Sequence, residues 1–387
     1  MKLLWFSDGP MTPTGFSNQS RGILDSVKED WEIHYLAHNY HGRKTKRMVL
    51  DDGERFDYTI YPGGKQPYAR DVFQKVFYDV KPRVLGILLD TFMLYPYFLD
   101  LDFTGAKTLF YFPSDGGGFP LDCEKILEKV DVPVAMSKYA RDQVADDFGI
   151  TAEYIPHATD PSLFKPLPEN KRMELRRKWG IPEGVFVFGD VARNQPRKNL
   201  PATITSFKEF VERNPGEPAV LFLHTDVTDV AAHMDLRRLA NDLGVGDKVF
   251  FTSMNWYDGL PQSRMNEVYN LMDCRVSSTS GEGWGICTIE AMAAGLPQVI
   301  TDYTTTKEIV LDHDAGVGVP PACEVVGTWG VKRAFVNDTV FAEKMEEVYF
   351  DRSRAKRMGE NGRKAVIREY SWKVVGREWQ KLLRSLV

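Results

Sequence analysis

Short apolar runs recur along this chain, each followed by a mixed stretch long enough to hold one helix. In the first half they fall at 2–7, 31–36, 84–89, 107–112 and 132–136. These runs are continuous rather than alternating, which predicts strands of a parallel sheet covered on both faces. Between most of them, 17–28, 69–80 and 137–148 read as helices. A proline-rich stretch from Pro156 to Pro168 interrupts the pattern and reads as a linker. The alternation then restarts with runs at 185–190, 219–224, 248–252, 274–277 and 297–301. The tail at 371–383 is an amphipathic helix. The expected architecture is α/β: two doubly wound, Rossmann-like domains facing a central cleft, with ligand at the carboxyl ends of the strands.

Composition agrees with that division. A chain of 387 residues is too long for one ordinary core, and two domains are the natural expectation. The formal net charge of -5 gives no electrostatic footprint for nucleic acid, so a nucleic-acid partner is not expected. The cysteines, Cys123, Cys274, Cys287 and Cys323, lie far apart without a CxxC pair. Neither a zinc site nor a disulfide framework follows, and a reducing cytoplasm suits them. The apolar start is shorter than a signal peptide's core and no run reaches membrane-spanning length, so a cytoplasmic protein, at most peripheral at a membrane, is expected.

The densest chemistry lies at 278–295. A strand at 274–277 leads into a turn with Gly281, Gly283 and Gly285, then into an alanine-rich helix ending at Gly295 and Pro297. Such glycines let backbone approach a ligand, and the unpaired amides opening a helix favour an anion. A phosphate is the natural occupant. Glu282 in the turn and Glu290, expected in the first helical turn, are placed to accept hydrogen bonds from sugar and ribose hydroxyls. The plainer reading is that glycines make turns and an early glutamate complements the helix dipole.

Glu282-Gly283-Trp284-Gly285, then Glu290 and Ala291-Met292-Ala293-Ala294-Gly295-Leu296-Pro297, closely resembles the ExxxxxxxE signature of retaining glycosyltransferases of family 4, with Trp284 where phenylalanine is usual. The resemblance implies the GT-B fold, with domains at 1–160 and 161–370 and a final helix, 371–387, returning to the first domain. It implies that Glu282 contacts the donor sugar, that Glu290 holds the nucleotide ribose, and that the backbone of Gly283, Trp284, Gly285, Ile286 and Cys287 holds the diphosphate. Arg193 and Lys198 resemble the family's ArgxxxxLys pair and would neutralise charge on the departing nucleoside diphosphate. Arg197 beside them has no assigned role. Two cations then stand in for a metal, and neither cofactor nor metal is expected beyond the nucleotide-sugar donor.

On the acceptor side the resemblance is thinner. Gly15, in the loop at 8–17, matches the glycine where the family's loop approaches donor phosphate or acceptor, though a plain turn explains it too. Asp115 stands where many relatives carry a histidine or a His-Asp pair, and is the candidate for contacting acceptor hydroxyl or donor sugar. His157 and Asp160 read as hinge and turn residues. His224, Thr225 and Asp226, and also 252–255, are candidates for the nucleotide base. Thr305 and Glu308 have capping-box spacing. The basic cluster at 43–47 reads as a solvated loop, with an anionic acceptor or membrane surface as the functional counterpart. Tyr95, Tyr97 and Phe98 suit an acceptor groove or the core equally. The expected activity is hexosyl transfer from a nucleoside-diphosphate sugar to a saccharide, lipid or other hydroxyl acceptor; the alternatives are a nucleotide-sugar 2-epimerase of the same fold and a non-catalytic nucleotide-sugar-binding subunit.

Overall fold

The structure is a computed structural model and describes residues 1–49, 55–120, 122–229, 231–232, 234–252 and 259–387. Its first half contains strands β1 (Lys2–Ser7), β2 (Glu32–Ala37), β3 (Met48–Val49), β4 (Arg55–Phe56), β5 (Thr59–Pro62), β6 (Val84–Leu88), β7 (Lys107–Phe112), β8 (Val132–Ala135) and β9 (Glu153–Tyr154). Apart from the small antiparallel pair β3–β4, they form one parallel sheet in the order β5-β2-β1-β6-β7-β8-β9. The apolar runs are continuous because the central strands are covered on both sides: every residue of β6 is buried, as is β1 from Leu3 onward.

The second half repeats the plan. Strands β10 (Phe186–Val191), β11 (Ala219–His224), β12 (Val249–Phe251), β13 (Cys274–Ser277), β14 (Gln298–Thr301) and β15 (Gly316–Val319) form a parallel sheet in the order β12-β11-β10-β13-β14-β15. A hairpin of β16 (Pro321–Val326) and β17 (Lys332–Val336) follows. Each large sheet therefore reverses its strand order once, between β1 and β6 and between β10 and β13, and the loops leaving those strands are where ligands of such sheets bind.

The final helix, Trp372–Ser385, packs on the Gly15–Val27 helix of the first half. Trp379 meets Trp5 and Tyr111 edge-on, with ring centroids 5.9 and 4.9 Å apart, and Gln380 donates to the Ser26 carbonyl at 2.6 Å. The chain crosses between halves at one place: Thr159 N–H donates to the Tyr370 carbonyl at 2.9 Å, and Trp372 N–H to that of Thr159 at 3.3 Å.

One expected helix needs correction. The helix anticipated at 69–80 runs from Phe73 to Val80, because Tyr68 and Ala69 adopt left-handed backbone that no helix accepts. Tyr95, Tyr97 and Phe98 belong with the first-half core, where Phe98 is fully buried and the Tyr97 hydroxyl donates to the Tyr68 carbonyl. In the basic cluster Arg47 pairs with Asp57 and Lys44 sits 4.4 Å from the centre of the Tyr61 ring. Among the described residues no helix is long and apolar enough to cross a membrane.

Candidate functional site

Loops leaving β7, β10 and β13 meet the β16–β17 hairpin at the seam between the sheets. The loop after β13 carries the glycine turn. Gly281 has φ +150°, and a Cβ there would strike the Asp115 carbonyl oxygen of the first half. Gly285, at φ +101°, precedes the Ile286–Ala293 helix directly, and no side chain caps that end. The amides opening this helix are thus left without a side-chain acceptor, and Ile286 and Cys287 line the cleft.

The carboxylate of Glu282 accepts from Lys198 Nζ at 2.6 and 2.8 Å and from Arg197 Nη1 at 2.9 Å. Arg197 reaches Asp115 through Nε at 3.1 Å, and Asp115 reaches Arg333 on β17 at 3.0 Å. Lys198, Glu282, Arg197, Asp115 and Arg333 thus alternate in sign across the seam. Burial alone would raise the Glu282 carboxyl, but Lys198 and Arg197 outweigh it and hold it far below the usual range. Burial alone would lower Arg197, and the carboxylates of Glu282 and Asp115 instead raise it. Arg197, left without a role by the sequence, is the link between the halves. Lys198 and Glu282, expected to meet different parts of a donor, hold each other.

Arg193 lies farther along the cleft and is held by both oxygens of the buried Asp229 carboxylate, at 2.5 and 3.0 Å. Glu290 is in the second helical turn rather than the first, since the helix begins at Ile286. The helix-dipole reading of Glu290 therefore weakens, because that effect fades beyond the first turn. The Tyr269 hydroxyl donates to Glu290 at 2.6 Å, and burial pushes its carboxyl up to about 7 against the smaller opposing pull of Tyr269 and Arg275. Glu290 lines a cleft of about 530 Å³, as do Gly15, Arg193, Ile286, Cys287 and the His224–Thr225–Asp226 segment. Of the 252–255 candidates only Thr252 lies within the described residues.

Trp284 turns away from the cleft. Its ring is buried against Tyr370, 5.2 Å between centroids, and near His157 at 6.2 Å, while its carbonyl accepts from Thr305. His157 is likewise buried, without a hydrogen-bond partner on either ring nitrogen, and burial lowers it to about 3. Asp160 makes a local turn, accepting from Ser162 N–H at 2.8 Å. Glu308 is not part of a capping box on its own segment. It accepts from the Lys138 amide at 3.0 Å and the Tyr139 amide at 3.4 Å, capping the Lys138–Phe148 helix of the other half.

Three residues escaped the sequence reading. Asp8 directly follows β1 and binds His38 at 2.6 Å and Thr14 at 2.5 Å. Asp90 follows β6 at the first sheet's reversal point, where burial, and then Asp115, pushes its carboxyl up to about 7. Arg333 belongs to a hairpin joined to the first half by mutual backbone bonds between Gly117 and Lys332 at 3.1 and 2.8 Å. Asp8 and Asp90 each close an apolar strand of the sheet, a signal that could have found them; Arg333 carried none. Among the described residues no group of three or more His, Cys, Asp or Glu side chains is placed to hold a metal ion.

Residues 171–365 match the family model described as "Glycosyl transferases group 1". A GDP-mannose-dependent alpha-(1-6)-phosphatidylinositol monomannoside mannosyltransferase of Mycobacterium tuberculosis is 30% identical over 270 residues, covering 67% of this chain and 63% of that protein. Mannosylfructose-phosphate synthase of Agrobacterium fabrum is 28% identical over 184 residues, covering 46% of this chain and 38% of that protein. Among solved structures, sucrose-phosphate synthase of Thermosynechococcus elongatus superposes with a TM-score of 0.77 at 16% identity, covering 100% of this chain and 99% of that one. HepE of Anabaena, in complex with UDP and glucose, gives 0.74 at 13% identity, with both chains covered in full. The fold is GT-B, and the chain belongs to the group 1 glycosyl transferases.

Proposed function

We propose that this chain transfers a hexosyl group from a nucleoside-diphosphate sugar to a hydroxyl acceptor, retaining the anomeric configuration as glycosyltransferases of family 4 do. The observation that carries the reading is the alternating charge ladder beside the uncapped Ile286–Ala293 helix, at the reversal point of the second sheet. The donor diphosphate lies against the Gly285–Cys287 amides, with Arg193 and Lys198 matching its charge. Glu282, ionised and fixed by two cations, accepts hydrogen bonds from sugar hydroxyls and orients the ring. Glu290 accepts from the ribose. As the bond to the anomeric carbon breaks, charge builds on the departing diphosphate, and prearranged cations and amides stabilise it without reorganising. Asp115 presents the first half to the acceptor hydroxyl, and the seam holds donor and acceptor in register. Lys198 and Arg193 take the place of a divalent cation in this scheme. Relatives named as GDP-mannose-dependent phosphatidylinositol monomannoside mannosyltransferases support a mannosyl donor and a lipid-linked acceptor, and the mannosylfructose-phosphate synthase supports a phosphorylated sugar as the alternative acceptor.

The test is to incubate the purified chain with GDP-mannose or UDP-glucose, with and without vesicles carrying phosphatidylinositol mannosides or a panel of sugar phosphates. Nucleoside diphosphate should be released only with an acceptor, equally well in EDTA, and NMR should show an α-linked product. Conversion of the donor without acceptor would point to an epimerase, and binding without turnover to a non-catalytic subunit.

A further inference from the structure

The transfer scheme asks Glu282 to orient the sugar, yet Glu282 lies in a turn that cannot hold itself. Gly281 and Gly285 flank it at φ +150° and +101°, and Gly283 adds another position without a side chain to pack. Glycines make such a turn possible and leave its backbone loose. Its support has to come from outside the turn.

The loop after β14 supplies it. The Thr304 hydroxyl accepts from the Glu282 N–H at 3.1 Å and donates to the Glu282 carbonyl at 2.9 Å, so one side chain fixes the peptide groups on both sides of the same Cα. Thr305 donates to the Trp284 carbonyl at 2.8 Å, two residues farther along the turn. The loop is itself anchored. Thr306 donates to the Thr301 carbonyl of its own strand at 2.7 Å, and the Tyr303 hydroxyl accepts from the Gly117 amide of the first half at 2.8 Å.

Thr304 is also ill suited to its own backbone. The Thr306 N–H donates to the Tyr303 carbonyl at 3.2 Å, closing a turn whose first corner is Thr304 at φ +50°. A corner with positive φ belongs to glycine, asparagine or aspartate, and a β-branched side chain is crowded there. Among the described residues with positive φ, Thr304 alone is β-branched. Glycine would relieve the strain and forfeit the hydroxyl, so the strain points to a use for the hydroxyl.

We propose that Thr304 is a positioning residue for sugar transfer, its hydroxyl fixing the Glu282 backbone so that the carboxylate, held by Lys198 and Arg197, meets the donor sugar. This rests on the transferase reading above and on the role given there to Glu282. The test uses Thr304→Ser, Thr304→Ala and Thr304→Gly, assayed with GDP-mannose or UDP-glucose and the acceptor panel above. In Thr304→Ala and Thr304→Gly kcat should fall by about tenfold or more, since slight misplacement of an orienting group is costly. Thr304→Ser keeps the hydroxyl that makes both contacts and should stay within about threefold of wild type. GDP and UDP, titrated calorimetrically, should bind all four proteins within about twofold, because Thr304 touches neither the Gly285–Cys287 amides nor Arg193 and Lys198. Stability should rank differently from activity: Thr304→Gly should melt above Thr304→Ala, because glycine accepts positive φ and alanine does not. Activity that follows this stability order, with Thr304→Gly near wild type, would make Thr304 a structural part only and overturn the proposal while the transferase reading stands. So would wild-type kcat in Thr304→Ala, a Thr304→Ser variant as slow as Thr304→Ala, or nucleoside-diphosphate affinity that falls along with kcat. No transfer by the wild-type chain from either donor would overturn both.

Discussion

The two sheets share a strand order and present opposite chemistry at corresponding points. Leaving β1, β6 and β7 the first sheet offers carboxylates: Asp8, Asp90 and Asp115. Leaving β10 the second offers Arg193, Arg197 and Lys198, with Asp226 and Asp229 after β11 and Glu282 after β13. Topology therefore dictates where a ligand sits, and side chains at the strand ends dictate which ligand. In the proposed scheme the second half holds the donor and its diphosphate, and the first half meets the acceptor hydroxyl. Arg197 joins them, with a carboxylate from each half on either side.

The largest effect should come from breaking the cationic half. Lys198→Ala removes the lysine from both Glu282 oxygens and from the departing diphosphate, and kcat/KM should fall by about a hundredfold or more. Steady-state kinetics with saturating acceptor would show it; a loss below tenfold would place the charge stabilisation elsewhere. Asp115→Asn breaks the acidic half at its contact with Arg197 and Arg333. Here kcat should fall about tenfold while donor affinity stays within about threefold, since oxyanion-type contacts on the donor are untouched. Equal losses in kcat and donor affinity would put Asp115 in the donor seat and erase the contrast between halves.

A smaller effect concerns pH. Glu290 titrates near 7 in the folded chain against an ordinary value of 4.5. Between those values the folded state holds a proton the unfolded state has released, so this group's stabilising contribution is full below about pH 4.5 and is lost as pH rises through 7. Glu290→Gln should flatten that part of the stability profile, seen as a smaller difference in Tm between pH 5 and pH 8. Nucleotide affinity in the wild type should rise over the same range as the carboxylate forms, and should not in the variant. The smallest effect is structural. Glu308→Ala removes the cap that the second half places on the Lys138–Phe148 helix, at a cost of about 1 kcal/mol measured by denaturant unfolding.

Legibility followed physical range. The strands at 2–7, 107–112 and 219–224 were readable because burial on both faces makes their central residues continuously apolar. Strand β15 was missed because two of its four residues are glycine; a Cβ at Gly316 would strike the Gln298 carbonyl oxygen, so the close strand packing that defines it removes its own hydrophobic signal. The glycine turn and the two glutamates were readable because the turn and the helix that carry them lie within one short segment. Arg333 was not, since its partner Asp115 lies 218 positions earlier and nothing local marks the pair. Thr305 and Glu308 show the limit of local spacing: the capping-box pattern is present, yet Glu308 serves a different helix.

The central claim is that the cationic half holds a diphosphate at the Gly285–Cys287 amides. The most direct test is calorimetric comparison of a nucleoside monophosphate with its diphosphate, in wild type and in Arg193→Ala and Lys198→Ala. The account predicts that the second phosphate tightens binding by about a hundredfold and that either substitution removes most of that gain while leaving monophosphate affinity unchanged. Equal binding of monophosphate and diphosphate by the wild-type chain would contradict it.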